Sequence, residues 1–152
     1  MALMGIAFLK PASVFAQEKS GLAGWELDSA YNEHYSLDDF DQFKGIVEDI
    51  REITPLPGMA PGVGLVVQDQ DGDPVNVQLG PESFVNLDSI GLQKGDKVKV
   101  KGAWADIDGK EVFMASKVKK SEYVELKLRK TSDGTPFWTL SPEELAKEKG
   151  SE

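Results

Sequence analysis

The sequence predicts an all-β protein: a five-stranded OB-type β-barrel with an N-terminal extension and a short C-terminal hairpin and helix. Three observations carry this. Val75, Val77 and Leu79 alternate with Asn76 and Gln78, and Val98 and Val100 alternate with Lys97, Lys99 and Lys101; apolar residues at every second position mark strands with one buried face. Tight-turn signals follow at Asp69-Gln-Asp-Gly-Asp73, Gly95-Asp96 and Asp106-Ile-Asp-Gly109, where Gly or Asp supplies the backbone freedom a hairpin needs. One long connection, Glu82 to Lys94, separates the third strand from the fourth, as in a five-stranded, partly open barrel of the OB type.

The barrel is expected over residues 43–120. Phe43 to Ile53 forms the first strand, and Gly45 marks a bulge or sharp bend that lets the strand pair in both halves of the barrel. Thr54 to Gly62 carries three prolines and two glycines, which excludes regular structure. Val63 to Gln68 is the second strand and Val75 to Leu79 the third, ended by Gly80-Pro81. The Glu82 to Lys94 connection is expected to be partly helical, with Phe84, Val85, Leu87, Ile90 and Leu92 plugging the barrel end. Lys97 to Gly102 and Glu111 to Val118 complete the five.

Flanking segments follow. Residues 17–42 form a polar approach segment whose aromatics, Trp25, Tyr31, Tyr35 and Phe40, are expected to dock on the outside of the domain. Residues 121–152 form a C-terminal extension with an extra strand within Tyr123 to Arg129. Its end, Ser141-Pro-Glu-Glu144, reads as a capping box opening a short helix, with Lys147 and Lys149 placed to suit the helix dipole.

The first 16 residues read as a signal peptide. Met1 to Leu9 is apolar, Lys10 and Pro11 break the run, and Val14 and Ala16 stand at −3 and −1 of a cut before Gln17. The run is too short to cross a hydrocarbon core of about 30 Å as a helix. An exported, periplasmic location without a membrane span follows as the expectation. Cleavage would remove Lys10 and no acid, leaving 16 basic against 26 acidic residues.

With 152 residues, the chain is long enough for one domain with a substantial core. It has no cysteine, so disulfides, thiolate nucleophiles and cysteine-ligated zinc are excluded. His34 is the single histidine. No nucleophile or oxyanion device accompanies it, and the expectation is a non-enzyme without cofactor or metal. The Asp69, Asp71, Asp73 cluster resembles a calcium loop, but the twelfth position, where such a loop needs glutamate, is Gly80. A plain hairpin turn explains the same residues.

The net charge is −9. Against that background, residues 94–120 hold eight lysines and four acids. Such a stripe beside Trp104 and Phe113 could hold a single nucleic-acid strand, with charge for the backbone and rings for the bases. It could also be a solvated face that uses lysine to keep strand edges apart. An acidic protein partner or a small ligand suits the patch better in an otherwise acidic, exported chain. Met59, at the tip of the proline-rich loop, is a candidate apolar contact. The candidate binding face is therefore assigned to Met59, Asn76, Gln78, Lys97, Lys99, Lys101 and Trp104.

Several short motifs share an order and spacing with a known group. They are Tyr31-Asn-Glu-His-Tyr35, Pro57-Gly-Met59, Gly62-Val63, Leu79-Gly-Pro81, Gly95-Asp-Lys-Val98, Asp108-Gly-Lys110, Val118-Lys-Lys120 and Leu126-Lys-Leu-Arg129. In these the chain resembles small exported bacterial OB-fold proteins of uncertain function. The resemblance implies the fold and the exported location, and it implies no reaction. It also implies a histidine just before Leu79, where this chain has Gln78. The function expected is a non-enzymatic binding or adaptor module, with single-stranded nucleic-acid binding as the alternative.

Overall fold

A computed structural model describes residues 20–150. The expected signal peptide, residues 1–16, lies outside the described residues. Six strands form one sheet: β1 (Phe40–Ile53), β2 (Gly62–Asp69), β3 (Pro74–Pro81), β4 (Lys97–Ile107), β5 (Lys110–Lys119) and β6 (Glu125–Lys127). Their order is β3-β2-β1-β4-β5-β6, all antiparallel neighbours, and β3 also pairs with β5 in parallel at Val77 opposite Phe113. That last pairing closes the first five strands into a ring with OB-type connectivity.

β1 makes the ring possible by serving two partners. Phe40 to Ile46 pairs with β4, and Gly45 to Ile53 pairs with β2, so Gly45 and Ile46 are bonded on both sides. The strand must bend hard there. A Cβ at Gly45 would strike the Gln68 carbonyl, so glycine permits the close approach of β2. A register shift between Val47 and Asp49 adds curvature. β1 starts at Phe40, three residues earlier than the sequence indicates. The preceding 3-10 turn, Leu37–Asp39, is capped by the Ser36 side chain accepting from the Asp38 N–H, and it delivers the chain already extended opposite Ala103.

The alternating valines fill the ring as expected: Val75, Val77, Val98 and Val100 are buried, with Val47, Leu65, Val67 and Phe113. The Glu82–Lys94 connection buries Ile90 and Leu92 but makes only one 3-10 turn, Leu87–Ser89. Its short polar interruptions favour local caps over a helix: Asn86 accepts from the Asp88 N–H at 3.1 Å.

The approach segment departs from expectation. Trp25 and Tyr31 are not docked outside; both belong to the buried core. Their polar atoms find partners inside, which is what such burial requires. The Trp25 indole N–H donates to the Ala60 carbonyl at 2.9 Å, and the Tyr31 hydroxyl donates to Gln78 Oε1 at 2.9 Å. Gly62 has no Cβ to strike the Trp25 ring. The C-terminal extension adds β6 to β5 and then sends Trp138 inward, its indole N–H donating to the Trp25 carbonyl at 2.8 Å. Helix α1 (Pro142–Gly150) follows. Its capping box is formed reciprocally: the Glu144 N–H donates to Ser141 Oγ and the Ser141 N–H donates to Glu144 Oε1.

Candidate functional site

Cross-strand register turns the lysine stripe into a two-dimensional lattice. In one row Lys44 stands opposite Lys99, Lys99 opposite Lys119, and Lys119 opposite Glu125. In the next row Gln42, Lys101, Lys117 and Lys127 stand side by side. Lys97 stands opposite Ile46 in a third. Neighbours within a row are about 5 Å apart and rows are about 6.7 Å apart. Like charges directly opposite on a sheet are destabilising, each pair by some tenths of a kcal/mol. Lys99 carries two such neighbours. Glu125 partly offsets the second row, at 3.8 Å from Lys117 Nζ and 3.9 Å from Lys127 Nζ.

Half-burial lowers the Lys101 ammonium pKa, and the positive charges of Lys117, Lys99 and Lys119 lower it further, with Glu125 opposing. The sign of the consequence is definite. A lysine with a folded pKa below its unfolded one binds fewer protons when folded, so stability rises with pH through that interval. The wild-type chain should therefore gain stability relative to Lys101→Gln as pH climbs toward the ordinary lysine range. Chemical denaturation of both at stepped alkaline pH checks this; parallel curves would contradict it. Titration of Tyr31 and Tyr35, both raised by burial, is common to the two chains and drops out of the difference.

Beside the lattice runs a groove of about 740 Å³. Gly45 and Ile46 of β1 line it together with Lys44, Lys97, Lys99 and Lys119. Gln68 to Gln70 bound one end, and Ser121 and Glu122 the other. Lys120 also lines it, but its ammonium donates to the Gly91 carbonyl at 2.8 Å and lies 3.4 Å from Asp96. Lys94 pairs with Asp49 at 3.4 Å.

The seven candidate residues do not form one face. Lys97 and Lys99 line the groove, and Lys101 stands one row further along. Met59 is no exposed loop tip; it is 9% exposed, and a Cβ at Gly24 of the approach segment would run into its side chain. Asn76 and Gln78 line a separate cavity of about 320 Å³ with Arg51, Val66, Ile107 and Lys110. That cavity shares no lining residue with the lysine groove, so the two sets line different depressions. Trp104 shares the parity of Val98 and Val100, opposite to the lysines. Its ring stacks on Phe43 at 6.2 Å, meets Phe113 edge-on at 4.9 Å, and donates its N–H to Asp41 at 2.9 Å. Phe113 itself is fully buried.

The acidic cluster is a turn. Asp69 Oδ1 accepts from the N–H groups of Asp71 and Asp73, at 2.9 and 2.8 Å. Among the described residues no three His, Asp or Glu side chains are grouped to hold a metal ion. Likewise, no described helix is long and apolar enough to cross a membrane.

Sequence reading missed Lys44 and Lys127 as lattice members, because register across strands cannot be read from one strand's alternation. It also missed Arg129. This side chain is 4% exposed and has no carboxylate within ion-pairing distance among the described residues. Its Nη2 donates to Asn32 Oδ1 at 2.8 Å and its Nη1 to the Gly134 carbonyl at 3.1 Å; Nε has no partner. The guanidinium lies 4.5 Å from the centre of the Tyr35 ring and 5.3 Å from that of Trp138. Asn32 in turn donates to the carbonyls of Trp25 and Glu26. Arg129 thus ties the approach segment to the C-terminal extension.

A family model matches residues 39–125, from the start of β1 to the start of β6. The chain belongs to the MamS/MamX magnetosome protein family. The matched span holds the whole ring, the groove and every lattice lysine except Lys127; Arg129 and the approach segment before residue 39 lie outside it. No curated protein and no solved structure matches the chain.

Proposed function

We propose that this member of the MamS/MamX family is a non-enzymatic binding module that engages an acidic partner protein through the lysine groove, in an exported compartment. The observation that carries the reading is the like-charge stacking of Lys44, Lys99 and Lys119. A protein of net −9 has ample acid with which to neutralise a sheet face. Instead it sets ammonium groups opposite one another at a cost in stability. Local rules are broken in this way where function requires it. The family's name gives the expected setting: the partner would be a component of the magnetosome.

Less supports the nucleic-acid alternative, because Trp104 and Phe113, the two rings considered for base stacking, pack with Phe43 on the side away from the lysines. Crosslinking capture with the tagged chain from its own host, with and without nuclease, separates the readings. An acidic protein recovered in near-stoichiometric amount and indifferent to nuclease supports the binding module. Capture abolished by nuclease overturns it in favour of the nucleic-acid reading, and no capture at all removes its support.

A further inference from the structure

Exposed apolar side chains stand at one end of the lysine lattice: Ile46 lines the groove, and Tyr123 follows Glu122, the last of its lining residues. Lys97, Lys99 and Lys101 occupy alternate positions of one strand, so their ammonium stems repeat about every 6.7 Å. An extended peptide laid along β4 repeats its same-face side chains at that distance, whereas residues three or four apart on a helix are about 5–6 Å apart at Cβ. At the Lys97 end the surface changes character. Ile46, opposite Lys97, is 41% exposed. On the far side, the turn that follows Lys119 is closed by the Ser121 N–H and the Lys120 N–H donating to the Val124 carbonyl. It carries Tyr123, 89% exposed, and Val124, 37% exposed. Tyrosine is among the side chains that most often carry binding energy at an interface.

We infer that the groove recognises an extended acidic segment with carboxylates at every second residue and one large apolar residue at the end that lies by Lys97, between Ile46 and Tyr123. This rests on the binding-module reading and specifies its ligand. The lysines attract and steer the segment, and the apolar residue fixes its register. Charge alone on a lattice this regular leaves a peptide able to slip by one row, because each two-residue step restores the same contacts.

The test uses three fluorescein-labelled peptides of equal charge and length with the full mature chain. One has alternating glutamates and a terminal phenylalanine, the second has serine in place of the phenylalanine, and the third carries its glutamates in one contiguous block. Anisotropy at about 50 and 200 mM salt gives the affinities. The phenylalanine peptide should bind about tenfold tighter than the other two, and Tyr123→Ala should abolish that advantage while leaving the serine peptide unchanged. Equal affinity for all three overturns the ligand assignment and leaves the lysine groove standing as an acid-binding site. Absence of binding by any of them at the lower salt overturns the groove reading itself.

Discussion

Replacing Arg129 with alanine should lower the stability of the folded chain by about 3 kcal/mol, a fall of about 10 °C in thermal midpoint for a domain of this size. The opposing terms are large, and their balance gives the number. Removing the guanidinium relieves a buried charge, which costs several kcal/mol to desolvate and which burial already disfavours by lowering its pKa. Against this stand two charge-assisted hydrogen bonds, to Asn32 and to the Gly134 carbonyl, worth about 1.5–3 kcal/mol each. Two aromatic faces, Tyr35 and Trp138, add roughly 1–2 kcal/mol each at a desolvated site. Alanine also leaves a void between those rings. Arg129→Lys should recover less than half of the loss, because one ammonium cannot reach both acceptors in the forked geometry of arginine. The loss should be local before it is global: limited proteolysis of Arg129→Ala should cut first within residues 20–39. A variant that melts with the wild type and resists protease equally would show that Arg129 does not hold the approach segment.

Lys99→Gln should do the opposite to stability. It removes the repulsions of Lys99 with Lys44 and with Lys119 in one step. The gain should be about 0.5–1 kcal/mol at low ionic strength, some 2–4 °C in midpoint, and it should shrink in salt, which screens half-exposed charges. A midpoint that falls would mean that the lattice is already neutralised and carries no stored repulsion. The stabilised variant should bind its acidic partner at least tenfold more weakly. Gain of stability with loss of binding separates a functional face from a merely solvated one, since a solvated face would give only the first.

Much of the fold was legible because it depends on local signals. Alternation at Val75–Leu79 and Val98–Val100, the Asp-Gly turns, Gly45 and the Ser141–Glu144 box each act within a few residues. Trp25 and Tyr31 were misplaced because polar composition around them, with Glu26, Asp28, Asn32 and Glu33, suggests surface. Their burial is decided by Ala60, Gln78 and Trp138, all distant in sequence. The site was half legible. Lys97, Lys99 and Lys101 stand out by their own alternation, but Lys44 joins them through the β1–β4 register alone. Trp104 is a neighbour of the lysine stripe in sequence only: three residues from Lys101, an odd offset along a strand puts it on the opposite face, with Phe43.

Taking Lys97→Gln/Lys99→Gln through the crosslinking capture beside the wild type is the most direct test of the central claim, because both side chains line the groove and neither holds the fold. The expected result is a variant that melts no lower than the wild type and recovers little or none of the acidic partner, with wild-type recovery falling in parallel as salt is raised. Undiminished recovery of the same partner by the double variant would contradict the account and move the binding surface off the lysine groove.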